Sequence, residues 1–349
     1  MKKGYLAGVT ACVGAVVGAG FASGREIISF FTSTGRWAVP LIALSAASMA
    51  GLCLLCLRAV GSGNGERWTA LYDRCPRACS AAAQVCTAVA LVVTGGAMVA
   101  AAGHMVMLVL PWRYAYGVGA VGTLVAAWGV SARGTKPLAW AGGLLTAFFV
   151  AVMALLVVRD AALPVVQLQP PKSLPVAAAN AVGYAAMNMT LALGVACRCA
   201  GRQRSDAAFA AAFGAAVFAL LWLGHRLYAS HPELTDEVFP VVRLLARFGR
   251  SGFVVSVLLL YMAVFSTLAA VMYALRGMVE TYVASPNAAM LTTLAMPMAL
   301  SCVGFGDIVD RLYAPAGLIC LFTVFIPPAY CCFWQKNVQI YLDNRRVIQ

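Results

Sequence analysis

Glycine and other small residues crowd the middle of the first apolar stretch of the chain, VTACVGAVVGAGFASGREIISFF. Gly14, Gly18, Gly20 and Gly24 recur through it, and glycine is a poor helix former. We expect this helix to be interrupted between residues 15 and 20. An interruption exposes carbonyl groups that suit a cation and amide groups that suit a carboxylate. The alternative is close helix packing through the GxxxG spacing alone.

A pair of adjacent hydroxyl side chains, Ser266 and Thr267, lies in another apolar stretch, LLLYMAVFSTLAAVMYAL. Such hydroxyls offer neutral oxygens to a monovalent hard cation and avoid the burial of a carboxylate. The pattern favours an ion site. The alternative is that both hydroxyls bond back to carbonyl groups one turn earlier in their own helix.

A third stretch, LPVAAANAVGYAAMNMTLALGVA, holds another polar cluster at mid-membrane depth. We expect it to unwind from about Gly183 to Asn188, so that its carbonyls receive a substrate ammonium and its amide side chains orient the substrate. The alternative is that the Asn side chains bond between helices. The predicted substrate-binding residues are Gly18, Ala19, Gly20, Phe21, Gly183, Tyr184 and Asn188.

Arg25 and Glu26 are adjacent opposite charges well inside an apolar stretch, where ionisable groups are costly and usually functional. Neighbours in sequence point about 100° apart on a helix, so each of the two needs another partner. We expect Arg25 to meet Asp307 and Asp310 as an extracellular gate. The alternative is that Arg25 extends to the outer headgroups. Glu26 is the candidate for proton exchange.

Membrane-spanning helices must position these residues. Hydrophobic residues make up 62% of the 349-residue chain and charged residues only 11%, whereas soluble domains carry about 25% charged residues. A soluble enzyme is therefore excluded. Ten apolar runs of about 18 residues or more are each expected to form a helix across the bilayer, because unpaired amides are costly in hydrocarbon. They lie near residues 5–33, 37–58, 80–110, 114–131, 138–158, 174–196, 206–228, 252–275, 287–305 and 312–334.

The net charge of +13 comes from Lys and Arg dispersed over the short gaps between these runs. This distribution is typical of a membrane protein and not of a nucleic-acid-binding protein. When the N-terminus is placed in the cytoplasm, most of these basic residues fall in the inner gaps. We therefore expect a multi-pass protein with both termini in the cytoplasm.

The twelve Cys fall mostly inside apolar runs or in the expected cytoplasmic gaps, so we expect free thiols and no disulfide or metal framework. Cys53 and Cys56 form a CxxC inside a continuous apolar run, where packing is the simpler interpretation. The sequence contains no HExxH, GxSxG or GxxxxGK motif. We expect neither enzymatic activity nor a cofactor, and no metal beyond a coupling Na⁺.

We expect residues 1–349 to form one transmembrane domain in which a Pro-rich segment separates five apolar runs from five. An odd number of crossings in each half inverts the second half relative to the first, as in inverted-repeat transporters. The repeats would cover about residues 5–158 and 174–334. The gap after the seventh run turns at Pro232 and then becomes amphipathic, which predicts an extracellular cap at about residues 229–250.

The segment VGAVVGAGFASGREI, followed by two Phe and a Gly, resembles the signature of the YkvI family of bacterial membrane proteins. These are remote relatives of the amino acid-polyamine-organocation transporters with the LeuT fold. The resemblance implies an all-α polytopic protein with ten transmembrane helices in a five-plus-five inverted repeat, with helices 1 and 6 broken at mid-membrane. It also implies a sodium site made of the carbonyls of Gly14, Val17 and Ala263 and the hydroxyls of Ser266 and Thr267.

Together these features predict a secondary active transporter of the bacterial inner membrane. It would take up a small amino acid or a related zwitterion by alternating access, with Na⁺ as the coupling ion. One alternative is a proton-coupled transporter that uses Glu26. Another is a membrane receptor that keeps the transporter scaffold and senses a nutrient without moving it. Beyond the solute and the lipid bilayer we expect no nucleic-acid partner.

Overall fold

The first apolar stretch does not form one helix. The computed structural model describes residues 2–60, 68–131, 136–160, 162–166, 173–201 and 205–331. In it the stretch forms α1 (Lys2–Val16), α2 (Ala19–Ser23) and α3 (Arg25–Phe30), followed by a 3-10 turn over Thr32–Trp37.

The other apolar stretches form long helices, and the described helix bounds lie within about seven residues of those predicted. The first half continues with α4 (Ala38–Val60), α5 (Arg77–Val109), α6 (Ala115–Ser131) and α7 (Lys136–Arg159). The second half contains α8 (Leu174–Cys199), α9 (Asp206–Ala229), the short α10 (Pro240–Ala246), α11 (Gly249–Tyr282), α12 (Pro286–Ser301) and α13 (Phe305–Cys331). Two wider π-helical turns, Ile308–Leu312 and Leu321–Phe325, interrupt the regular winding of α13.

Six helices in the described ranges are long and apolar enough to cross a bilayer. They are Thr32–Val60, Arg77–Val109, Leu174–Cys199, Asp206–Ala229, Gly249–Tyr282 and Phe305–Cys331. Three shorter apolar helices are Tyr5–Val16, Ala115–Ser131 and Ala147–Arg159. The chain is therefore a multi-pass membrane protein, while the count of ten crossings stays a prediction.

α8 lies at the centre of the helix packing, in contact with α1, α4 and α13. Glycine allows the backbones of α8 and α13 to touch. A Cβ on Gly183 would collide with the carbonyl oxygen of Ala314, and a Cβ on Gly317 would collide with that of Gly183. Within lipid no hydrophobic driving force brings helices together, so small residues at such crossings favour association by allowing close van der Waals packing.

The predicted interruption of α8 from about Gly183 to Asn188 is wrong, because the helix is continuous through this region. The polar side chains of α8 bond to carbonyls of the same helix. The Asn188 amide donates to the Tyr184 carbonyl at 3.0 Å, and the Thr190 hydroxyl donates to that of Ala186 at 2.8 Å. Gly183 therefore serves close packing and not unwinding.

Several helix contacts have a counterpart when the two halves of the chain are exchanged. α5 packs against α6, and α11 packs against α12. The cross pairs α5 with α12 and α6 with α11 are both present, and α4 contacts α8 as α9 contacts α1. These matched pairs are the ones that a five-plus-five repeat predicts, and the repeat itself stays a prediction.

The segment between α9 and α11, which we call the cap, packs onto the bundle. It begins with a 3-10 turn over Pro232–Leu234 and continues into α10. Val241, Val242 and Leu244 are buried while Arg243 is exposed, as in an amphipathic helix. Because α10 contacts both α11 and α2, the cap lies over the second helical piece of the first stretch.

Candidate functional site

The chain leaves helical geometry at Val17 and Gly18, between α1 and α2. The amide of Ala19, the first residue of α2, donates to the hydroxyl oxygen of Thr267 in α11 at 3.3 Å. The carbonyl oxygens of Gly14 and Val17 accept no hydrogen bond from the described part of the chain. The interruption thus leaves main-chain acceptors available beside a hydroxyl of another helix.

Of the two adjacent hydroxyls in α11, Ser266 follows the simpler alternative. Its hydroxyl donates to the carbonyl of Ala263, one turn earlier, at 3.0 Å, whereas Thr267 meets the interruption. A hydroxyl that donates to a carbonyl keeps its own lone pairs, so the back bond leaves Ser266 able to bind a cation. Within the described ranges no group of His, Cys, Asp or Glu side chains is arranged to hold a metal ion. The candidate cation ligands are the neutral oxygens at the interruption.

Glu26 is a deeply buried carboxylate at the start of α3. Only 4% of the residue is exposed, and its Oε2 atom has no hydrogen-bond partner among the described residues. The carboxylate lies against Gly20, where any side chain would collide with it. Leaving a buried polar atom unpaired costs about 1–3 kcal/mol, and more for a charged group. An acid kept in such a place is a candidate for function.

Buried tyrosines accompany this carboxylate. Tyr184 of α8 and Tyr313 of α13 lie close to Glu26. The hydroxyls of Tyr184 and of Tyr228 in α9 make no hydrogen bond of ordinary geometry within the described ranges. The ring of Phe30 packs against that of Tyr184, with the centroids 5.0 Å apart. The cluster therefore holds unused donors and acceptors inside an apolar enclosure.

The turn between α2 and α3 positions these groups. Gly24 has a φ of 86°, in the left-handed region that favours glycine, and the hydroxyl of Tyr228 lies against it. The Ser23 hydroxyl accepts a hydrogen bond from the amide of Arg25 at 3.1 Å. α3 therefore begins in a fixed orientation, with Glu26 turned inward and Arg25 turned toward the cap.

Arg25 joins three elements. Its guanidinium forms an ion pair with Asp310 of α13, in which Nε donates to Oδ1 at 3.2 Å. Nη1 donates to the backbone carbonyls of Thr235 and Glu237 in the cap, at 2.9 and 3.2 Å. The Ser29 hydroxyl also donates to Asp310. Only 17% of the Arg25 side chain is exposed, so it does not extend to the headgroups.

Asp307 does not join Arg25 and Asp310, although the sequence suggested both acids. It pairs with Arg311, four residues along the chain, at 3.2 Å, and both side chains are exposed. The wider π-helical turn that begins at Ile308 changes the directions of side chains on either side of it. The two acids consequently point to different partners.

The predicted substrate-binding residues fall into two groups. Residues 19–21 are buried in α2, and Gly18 precedes them at the interruption. Tyr184 of α8 lies beside the Glu26 carboxylate, and that carboxylate lies against Gly20 in this group. Gly183 instead contacts α13, and Asn188 bonds within α8.

Sequence reasoning missed Tyr228, Tyr313 and Ser29 as members of this site. The signal for them is weak, because a tyrosine or serine in an apolar run is ordinary. Only the packing of α9 and α13 against α3 brings them to the charged residues.

Comparison with known proteins identifies a fold and no family. No family model matches the sequence, and no curated protein matches it. Among solved structures, the chain is similar to the inward-facing conformation of Mhp1, with a TM-score of 0.60 and 10% sequence identity. The match covers 89% of this chain and 73% of that one. Identity this low shows the fold alone. The match supports a LeuT-like fold, while membership of the YkvI family stays a prediction.

Proposed function

We propose that the chain is a secondary active transporter that takes up a small amino acid or related zwitterion together with Na⁺ by alternating access. The observation that carries this proposal is the interruption at Val17 and Gly18, where the Ala19 amide bonds to Thr267. Irregular backbone at membrane depth is tolerated where it is buried in protein or lines a cavity. The LeuT-like fold agrees with this use of the interruption.

Neutral oxygens around the interruption support Na⁺ as the coupling ion. The first apolar stretch offers the unpartnered carbonyls of Gly14 and Val17. α11 offers the hydroxyls of Ser266 and Thr267 and the carbonyl of Ala263, which accepts the Ser266 hydroxyl in the structure. Oxygens of this kind can replace water around a monovalent cation without a buried carboxylate.

A zwitterionic substrate would lie between the start of α2 and Glu26. The Ala19 amide is already bonded to Thr267, so the next amides of α2, those of Gly20 and Phe21, suit its carboxylate. α8 is continuous and offers no freed carbonyls for the ammonium, so the unpartnered Oε2 of Glu26 takes that role in our proposal. The hydroxyl of Tyr184 is a further polar contact.

Arg25, Asp310 and the cap carbonyls, which are in contact, would form the gate on the cap side. By contrast Gly14, Gly18 and Thr267 are only partly buried. This difference supports a state that is closed toward the cap and open toward the other face. The helix contacts that recur in both halves support the inverted repeat of about residues 5–158 and 174–334. We further propose that the protein lies in a bacterial inner membrane, with both termini in the cytoplasm.

The test is uptake by purified protein in liposomes, across an amino acid panel, with and without an inward Na⁺ gradient. We expect gradient-driven accumulation of at least one solute. The double substitution Ser266→Ala with Thr267→Ala should abolish the Na⁺ dependence and leave folding intact. Thr281→Ala is the matched control, because Thr281 lies on the same helix, is exposed and bonds only to the Gly277 carbonyl in its own helix.

Two outcomes would count against this proposal. Absence of accumulation of every solute would remove the transporter function. If a solute stabilised the protein against heat without being accumulated, a nutrient receptor on a transporter scaffold would be favoured instead.

Proton coupling is the second candidate, and the buried Glu26 carboxylate favours it. A membrane-buried acid with an unpartnered oxygen can carry a proton between the two faces. Glu26→Gln should then abolish uptake driven by a pH gradient but retain exchange of labelled for unlabelled solute. Under Na⁺ coupling, the same variant should weaken solute binding and keep the Na⁺ dependence of the remaining uptake.

A further inference from the structure

A small cavity lies at the same end of the bundle as the cap and is separate from the site around Glu26. Its volume is about 200 Å³, and its walls come from the corner before α4 and the start of α4, from the last two turns of α9 and from residues 165–166. The amide of Val166 donates to the carbonyl of Ala229 at 2.9 Å, which holds this segment against the end of α9.

Two arginines line this cavity. Arg36 is exposed, and its guanidinium carbon lies 5.6 Å from the centroid of the Trp37 ring. It forms no ion pair within the described ranges. Arg226 donates to the Ser230 hydroxyl at 2.5 Å and to the Leu163 carbonyl at 3.1 Å, and these bonds fix its guanidinium. No residue in the described lining carries a carboxylate. The cavity is therefore cationic.

The remaining lining combines polar and apolar groups. The Thr32 hydroxyl and Nδ1 of His225 are 3.1 Å apart and share a hydrogen bond. Val39 and Trp222 also line the cavity, and they are 40% and 44% exposed. Exposed apolar side chains on membrane helices face lipid, and Trp is typical of the headgroup level. The cavity thus has a cationic part and an apolar part beside the hydrocarbon.

We infer that this cavity binds an anionic phospholipid from the leaflet on the cap side. The phosphate would lie at Arg36, whose guanidinium fork matches phosphate oxygens in bidentate geometry, and the charge of Arg226 would lie beside it. The start of an acyl chain would follow Val39 and Trp222. A free phosphate ion has the same charge chemistry but leaves the apolar part of the cavity without a partner. Basic pockets between membrane helices are suited to lipid headgroups.

The bound lipid would join the corner before α4 to the end of α9. α9 also carries Tyr228, whose hydroxyl lies against Gly24 in the turn between α2 and α3. The site is independent of the proposed transport activity, because none of the proposed substrate or ion residues lines the cavity.

The experiment is native mass spectrometry of the full-length protein in a mild detergent. The probes are phosphatidylglycerol, phosphatidylcholine with the same acyl chains, and inorganic phosphate. We expect retention of phosphatidylglycerol over phosphatidylcholine. Arg36→Gln should weaken phosphatidylglycerol binding about tenfold, because a charge-assisted bidentate contact is lost. Arg36→Lys, which keeps the charge without the fork, should weaken it less.

Arg113→Gln is the matched control for Arg36→Gln. Arg113 is likewise exposed and stacks on the neighbouring Tyr114 ring at 5.3 Å, but it does not line the cavity. We expect this control to bind phosphatidylglycerol as the wild type does. The shift of the thermal unfolding midpoint by phosphatidylglycerol is a second measurement, and it should be smaller for Arg36→Gln only.

Three results would overturn the inference. Equal retention of the two phospholipids would remove the role of headgroup charge. Equal weakening by Arg36→Gln and Arg113→Gln would show general surface attraction and no defined site. Displacement of phosphatidylglycerol by inorganic phosphate at comparable concentration would assign the cavity to a small anion.

Discussion

Two glycines make room for the polar groups of the candidate site. Gly20 lies against the Glu26 carboxylate, and Gly24 lies against the Tyr228 hydroxyl. In each case a methyl group would occupy the place of a polar atom. The requirement at Gly20 is steric, whereas Gly24 also needs the left-handed backbone conformation.

We expect Gly20→Ala to lower both uptake and thermal stability. The added methyl group collides with the Glu26 carboxylate, and overpacking of this kind costs about 1–3 kcal/mol. Thermal unfolding of the purified protein and liposome uptake measure the two effects. Gly122→Ala is the control, because a Cβ at Gly122 meets nothing within 4 Å. An unfolding midpoint for Gly20→Ala equal to that of Gly122→Ala would contradict the steric argument.

At the residue scale the sequence located the polar groups better than their partners. Arg25 meets Asp310, one of the two acids expected for it, because a charge inside a membrane protein needs an opposite charge. Asp307 pairs with Arg311 instead of Arg25, because a π-helical turn follows it, and the sequence carries no visible signal for that turn. Tyr228 could not be foreseen, because its position depends on how α9 packs.

At the scale of elements, glycine has two different outcomes in this chain. Gly18 accompanies an interruption, whereas Gly183 accompanies contact between the backbones of α8 and α13. Both outcomes require only a missing side chain, so composition does not separate them. The neighbouring helix decides, and the sequence does not show which helix that is. This is why the break predicted for α8 was wrong.

We expect Gly183→Ala to destabilise the protein by about 1–3 kcal/mol, because a methyl group must separate α8 from α13. Gly194→Ala is the control on the same helix, where a Cβ meets only the flexible end of Arg198 at 4.0 Å. Thermal unfolding compares the two variants. Equal midpoints would show that the contact with Ala314 does not constrain the helices.

We expect Arg25→Gln to loosen the cap. The substitution removes the ion pair with Asp310 and weakens the bonds to two cap carbonyls, so the amides of residues 230–246 should exchange hydrogen faster. Hydrogen exchange with mass spectrometry measures this. Arg311→Gln should have little effect, because its exposed pair with Asp307 contributes little to stability. Unchanged exchange in the cap of Arg25→Gln would contradict its role as a connection.

At the scale of the whole molecule, hydropathy predicted the helices well. The run predicted near residues 206–228 is α9, Asp206–Ala229, and the run near 37–58 is α4, Ala38–Val60. The length of each run follows from the thickness of the bilayer and from the need to hydrogen-bond every backbone amide and carbonyl within lipid. Both requirements are visible in a single sequence. The contacts among helices depend on side-chain shape, which no single-sequence count contains.

Topology reporters test the proposed orientation of the whole chain. A bacterial alkaline phosphatase, which is active only outside the cytoplasm, should be inactive when fused after residue 349. The same reporter inserted after Asp236, in the cap, should be active. A fluorescent protein at the C-terminus should give the complementary signal. The opposite pair of results would invert the orientation inferred from the basic residues.

The hydroxyl of Thr267 already accepts the Ala19 amide, which leaves its second lone pair for an incoming ion. A cation that binds this oxygen would weaken its hydrogen bond with the Ala19 amide and so shift the start of α2. α2 is only five residues long, and Arg25 stands just beyond its far end. Binding of an ion at Thr267 would therefore move Arg25 through little more than one helical turn. Arg25 bonds to Asp310 and to the cap, so the ion site and the contacts on the cap side would be coupled.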